Sequence, residues 1–226
     1  MQILIRISFI LCLVLSAYGK NKIAVAVLYF ENNSLINKEA YDGLKKGLCD
    51  IMITELSKMS GLHVVEREKL AKIMEEIALG QSGAVDESAA PKIGKLLGAQ
   101  ILMFGSYIKD MGRNIRIDTR MVKVETGEVL KAEEITGNAK SLFKLIKKLC
   151  FKIAEELDVK VTAHEMKLIK ETDKINLDAL LTYSEGLELL DSGDKDGALK
   201  KFEKTLEMDN SFDRVKQQIV KIKEVK

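Results

Sequence analysis

The run Lys22–Phe30, KIAVAVLYF, admits few folds. It carries one charge and is rich in β-branched and aromatic residues, so it reads as a strand that is apolar on both faces. Such a strand must be covered from both sides, which predicts a central place in a sheet with helices packed on it. Glu31-Asn32-Asn33-Ser34 then interrupts it with turn-forming residues. Leu44, Leu48, Ile51, Met52, Leu56 and Met59 follow at helical spacing, predicting one helix over 38–59 that ends at Ser60-Gly61.

The second fixed point is Gly61–Leu70, GLHVVEREKL. Its core Val64-Val65 stops at Glu66-Arg67, and the pattern turns helical from Lys69. A strand that hands over to a helix at once is the joint of an α/β unit. The helix carries Leu70, Ile73, Met74 and Ile77 on one face and stops at Gly80. Gln81-Ser82-Gly83-Ala84 reads as a loop. Asp86 or Ser88 can cap the next helix, which has Pro91 near its first turn, Ile93, Leu96 and Leu97 inward, and Gly98 at its end.

Three strands follow. Gln100–Tyr107 is apolar enough to be central; in Ile115–Val124, Ile115, Ile117 and Met121 alternate with Arg116, Asp118 and Arg120. Glu125-Thr126-Gly127-Glu128 is a hairpin turn, and Val129–Gly137 returns as a polar, edge-like strand. A helix over 140–157 presents Leu142, Leu145, Ile146, Leu149, Ile153 and Leu157. The order β-α-β-α-α-β-β-β-α predicts an α/β (α+β) fold with one mixed sheet over residues 20–158. A linker or a short helix is expected over 159–175 and an all-helical tail over 176–226.

The 36 basic and 34 acidic residues nearly cancel and are interspersed, so no field exists to attract nucleic acid. Residues 1–19 pair Arg6 with an apolar run and end in Ala17-Tyr18-Gly19, the pattern of a secretory signal peptide with Lys20 as first mature residue. The run is shorter than the ~20 residues a bilayer span needs. Cys12 lies inside it rather than at its end behind a small residue, so lipoprotein processing is not expected. Export to an oxidising compartment permits a disulfide, and Cys49 and Cys150 leave two readings open: one bridge between helices, or two buried thiols.

The chain offers little catalytic chemistry. His63 falls in a strand. His164-Glu165 starts like a zinc-protease helix, but Leu168 stands where the second histidine belongs. Gly80-Gln81-Ser82-Gly83 lacks the lysine and length of a phosphate loop. No catalytic, cofactor or metal site is predicted. Glu66 and Arg67 form the one candidate pair, either facing a partner at the strand end or stabilising the strand-to-helix turn.

In the tail, Ala179–Phe212 resembles a tetratricopeptide repeat through Gly186, Gly193-Asp194, Ala198-Leu199, Phe202, Leu206 and Met208-Asp209. Thr205 and Asn210 depart from the pattern. One such unit cannot bury its apolar face alone, so with a capping helix over 213–225 it is expected to dock on its own domain, a second copy or a partner.

Residues 22–157 resemble the CsgG family, the curli production assembly and transport proteins, and the related TolB-like amino-terminal domains. The resemblance rests on Ile23-Ala24-Val25, Phe30-Glu31-Asn32, Asp42-Gly43-Leu44, Thr54-Glu55-Leu56, Val64-Val65-Glu66-Arg67, Leu79-Gly80, Leu96-Leu97-Gly98-Ala99, Gly105-Ser106 and Val124-Glu125-Thr126-Gly127-Glu128. It implies a periplasm-facing, non-enzymatic domain without cofactor that assembles with itself or with envelope protein partners. The expected function is therefore an exported envelope scaffold associated with the outer membrane, and the alternative is a subunit of a curli-like export complex. Curli secretion subunits build a membrane β-barrel from two long hairpins. Here Lys131, Glu133 and Glu134 put charge on both faces of the last hairpin strand, which a lipid-facing strand cannot carry.

Overall fold

The computed structural model describes residues 22–80, 89–171 and 177–224. The signal-peptide pattern, the loop over 81–84, the caps at Asp86 and Ser88, and residues 172–176 of the expected linker lie outside them.

The fold is a mixed α/β sheet with helices packed on it, followed by a helical carboxy-terminal region. Its strands are β1 (Ile23–Val27), β2 (Glu31–Asn32), β3 (Leu62–Val64), β4 (Ile101–Lys109), β5 (Asn114–Lys123) and β6 (Val129–Asn138). They lie in the order β3-β1-β4-β5-β6, with β2 beside β4. β1 runs parallel to both β3 and β4, and β4-β5-β6 is an antiparallel meander. β1 is central as its composition demands, with Val25, Ala26, Val27, Leu28 and Phe30 all buried.

The first strand is shorter than its apolar run. It leaves the ladder after Val27, and the chain re-enters it as β2 with Glu31 opposite Ser106 and Asn32 opposite Tyr107. The turn-forming residues thus serve a ladder and a turn together. The buried Asn32 side chain donates to the Lys38 carbonyl at 2.7 Å and accepts from Ser34 N at 3.0 Å.

The helix expected over 38–59 divides into α1 (Lys38–Asp42) and α2 (Leu44–Leu56). The buried Tyr107 hydroxyl donates to the Tyr41 carbonyl at 2.5 Å, occupying the acceptor that a continuous helix would use. α3 (Arg67–Gly80) and α4 (Ala90–Leu97) follow β3. α4 buries Ile93 and Leu97 as expected, while Leu96 is half exposed, and Gly94 lies against Val124. α5 (Leu142–Glu156) crosses β6, where Leu145 presses on Gly137. Gly137 pairs with Ile115, so α5 covers the sheet face that holds Ile115, Ile117 and Met121. The alternate face, with Phe104, Ser106, Arg116, Asp118 and Arg120 in register, stays partly open.

Within the stretch expected as a linker or a short helix, residues 163–171 form α6 (Ala163–Glu171) and bury Ile169. The carboxy-terminal region is α7 (Leu177–Asp191), α8 (Lys195–Met208) and α9 (Asp213–Glu224). Gly193 takes the left-handed conformation between α7 and α8 (φ 86°), and Asp194 caps α8 by accepting from Gly197 N at 2.8 Å. α7 and α8 approach at Gly186, where a Cβ would stand 2.5 Å from the Phe202 ring; Ala198 and Phe202 are fully buried.

These helices pack directly on the α/β body. A Cβ at Gly47 of α2 would overlap the Ser184 hydroxyl of α7 and meet Leu180 at 3.1 Å. The Phe212 ring lies edge-on to Phe143 of α5 at 5.9 Å and 4.9 Å from Tyr183, which in turn lies 5.5 Å from Phe202. One apolar core runs from the sheet into the tail.

Candidate functional site

The carboxyl ends of β1 and β3 are where an open α/β sheet ordinarily places a ligand. Here that place is filled from within the chain. Arg67, the first residue of α3, is 1% exposed. It is turned inward and makes no ion pair with Glu66. Glu66 is exposed and supports α3 through its backbone carbonyl, which accepts from Lys69 N at 3.1 Å and Leu70 N at 3.2 Å. Arg67 turns instead toward the tail. Its Nη1 donates to Asp191 at the end of α7 at 2.6 Å, and its Nε lies 3.6 Å from Asp50 of α2.

Asp50 is fully buried and is the hinge of the cluster. It accepts from Arg214 Nε at 2.9 Å and Nη2 at 2.8 Å, and from the Tyr183 hydroxyl at 2.7 Å. Asp191 also takes Lys46 at 2.9 Å and the Tyr29 hydroxyl at 3.3 Å. At the rim Lys221 meets Glu68 at 3.1 Å. Burial would lower the Arg67 pKa, but Asp191 and then Asp50 outweigh it and hold the guanidinium charged. Burial pushes the Tyr29 and Tyr183 phenols up, with Asp191 and Asp50 respectively adding to the effect, so both stay neutral donors. The arrangement ties α2 and α3 to α7 and α9 through charge-assisted hydrogen bonds.

Sequence reasoning found Arg67 and missed Asp50, Asp191 and Arg214; the pairs Arg67–Asp191, Asp50–Tyr183 and Asp50–Arg214 join residues 124 or more apart in the chain. Asp50 did leave a signal. It interrupts the apolar stretch Leu48–Ile53, a place where a carboxylate must be buried with a partner.

The second feature is an open cleft of about 1290 Å³ on the uncovered sheet face, bordered by Tyr29, Met74, Phe104, Ile108, Arg116 and Asp118. Arg116 is paired with Asp118 at 2.7 Å and Glu134 at 2.6 Å. The cleft lining mixes apolar and charged side chains.

His63 and His164 are both exposed. Glu165 is the start of a helix: its carboxylate accepts from Thr162 N at 2.7 Å and Ser60 N at 2.6 Å, while Thr162 Oγ1 accepts from Glu165 N at 3.2 Å. That reciprocal pattern is a capping box. The bond from Thr162 and then those from Ser60 lower its carboxyl from 4.5 to about 2. Glu165→Ala should cost about 0.5–2 kcal/mol at neutral pH in a denaturant titration. Because the folded-state pKa is depressed, this stabilisation is full above pH 4.5 and is lost as pH falls toward about 2, so the gap between wild type and variant should close over that window. Among the described residues no group of three or more His, Cys, Asp and Glu side chains could hold a metal.

Cys49 and Cys150 are free, fully buried thiols, and Cys49 Sγ donates to the Val27 carbonyl at 3.2 Å. Burial pushes both thiols up, with Asp50 adding at Cys49 and Glu55 at Cys150.

Residues 11–111 match the family model described as Curli production assembly/transport component CsgG. A protein of Rhizobium meliloti (strain 1021) described as "Putative adenylate cyclase 3" is 28% identical over 158 residues, 70% of this chain. The chain spans only 25% of that relative's length. Among solved structures, lipoprotein GNA1162 from Neisseria meningitidis is similar at TM-score 0.43 and 17% identity, over 59% of this chain and 99% of that one. The LpoB carboxy-terminal domain from Salmonella enterica is similar at 0.38 and 16%, over 52% and 84%. The PelC L103M dodecamer from Paraburkholderia phytofirmans is similar at 0.39 and 13%, over 62% and 90%. Among the described residues no helix is long and apolar enough to cross a membrane.

Proposed function

We propose that this chain, whose residues 11–111 are CsgG-family sequence, is an exported, non-enzymatic scaffold of the cell envelope that binds protein partners in the periplasm. The family match carries this reading, and the signal-peptide pattern of residues 1–19 supports export. The open sheet cleft supplies a surface for a partner: Tyr29, Phe104 and Ile108 offer apolar contact, and the paired Arg116, Asp118 and Glu134 form a polar rim. The tetratricopeptide-like unit plays a different part. It spends one face on α2 and works as a clasp on its own domain.

Cross-linking of the tagged protein in living cells, followed by identification of what is joined to it, tests this. Envelope proteins or further copies of the chain should be recovered. A strictly monomeric protein with no cross-linked partner contradicts the proposal. The second reading, a subunit of a curli-like export complex, requires membrane insertion, and recovery of all the protein in the soluble periplasmic fraction removes it. The charge on both faces of β6 favours the scaffold. The cyclase name describes a protein of which this chain spans a quarter, and the activity is not carried over.

A further inference from the structure

One end of the sheet carries an unusual surface. Asn33 N donates to the Tyr107 carbonyl at 2.9 Å and the Ser34 hydroxyl accepts from Lys109 N at 3.0 Å, which sets the segment after β2 beside the β4–β5 turn. From these adjoining tips Leu35 projects at 94% exposure and Met111 at 86%, and Ile36, next to Leu35 in the chain, is 40% exposed. Neither tip is loosely built. Lys109 Nζ donates to the Asp110 and Gly112 carbonyls at 2.9 and 2.7 Å, and Asp110 accepts from Asn114 N at 2.9 Å and Nδ2 at 3.0 Å. Asn37, in the left-handed conformation (φ 49°), closes the other tip. The polar groups are bonded inward and the long apolar side chains are held in water, at a cost that an occupant must offset.

The surrounding charge says what that occupant is. Lys38 comes two residues after Ile36, Arg113 two after Met111, and Lys140 is next to Ala139, whose N–H donates to the Arg113 carbonyl at 2.7 Å. These three cations are exposed and make no ion pair among the described residues. Lys38, Lys109, Arg113 and Lys140 stand here with three acids, Glu39, Asp42 and Asp110, of which Asp110 is held by Lys109 and Asn114 and Asp42 by Lys45. Apolar points ringed by cations are the chemistry of reversible insertion at an anionic bilayer surface. We propose that this end of the sheet docks on an anionic phospholipid membrane, with Leu35, Ile36 and Met111 in the acyl boundary and Lys38, Arg113 and Lys140 at the headgroup phosphates. The proposal is independent of the partner-binding reading.

The chain has no tryptophan, so Met111→Trp supplies a single reporter at one tip. Protein purified from the cells that make it should show a blue-shifted emission with phosphatidylglycerol vesicles, quenching by brominated acyl chains, and little response to phosphatidylcholine vesicles. Leu35→Ser with Met111→Ser, tested by co-sedimentation, should weaken partition by about tenfold or more. Arg113→Gln with Lys140→Gln should weaken it and flatten its salt dependence. Unshifted emission with anionic vesicles overturns the proposal, as does partition unchanged by the serine substitutions. A shift that follows protein concentration without vesicles overturns it too, and assigns the tips to contact between copies of the chain.

Discussion

Asp50→Ala should lower the unfolding free energy by about 3–5 kcal/mol, measured as a fall in denaturant midpoint. Asp50 has no exposure to water, and its carboxylate answers two guanidiniums and one phenol at once. Its removal leaves Arg67, 1% exposed, and the side chain of Arg214, 11% exposed, as like charges over the same space. Neither can simply lose its proton, because an arginine stays charged at any pH the fold survives. Arg67 retains Asp191, so the loss falls hardest on Arg214 and on the seam between α2 and α9. A loss of this size is a large share of the ~5–15 kcal/mol that keeps a domain folded. Replacing Asp50, Arg67 and Arg214 together by apolar residues of similar volume should recover much of it, since the cost lies in the uncompensated charge.

Phe212→Ala should cost about 3–5 kcal/mol. The ring is 1% exposed and sits where the tail meets the body, against Phe143 and Tyr183. Truncating it opens a cavity shared by α5, α7 and α9, and Gly47 already brings α2 and α7 too close for further collapse. The transition should move to lower denaturant as a single step by both helix content and tyrosine fluorescence. An early step confined to part of the helical signal would mean that the tail melts alone.

Much of the architecture was legible because it rests on short-range patterns. The double-sided burial of KIAVAVLYF placed β1 in the middle of the sheet, and the strict alternation from Ile115 to Met121 told the buried face of β5 from the wet one. The failures share a cause in tertiary contacts that periodicity does not encode. Tyr107 takes the Tyr41 carbonyl and splits the helix over 38–59; Asn32 bonds two ways and turns a break into a strand. Of the candidate pair, Arg67 lies in the buried cluster and Glu66 lies exposed. A residue with a matching charge beside it in sequence has an obvious local partner, and only the fold reveals that Asp191 and Asp50 outbid Glu66. Glu165 is similar: its neighbour His164 suggests metal chemistry, while Thr162 and Ser60 settle it as a cap.

The packing of α7 and α9 on the α/β body makes the carboxy-terminal helices and the sheet one folding unit, clasped at Asp50. Native-state hydrogen exchange measures it directly. Amides of α7 and α8 should exchange with the same opening free energy as those of β1 and β4, and Asp50→Ala should lower both sets by the same amount. Tail amides that open at markedly lower free energy, with β1 and β4 unmoved by the substitution, would contradict it.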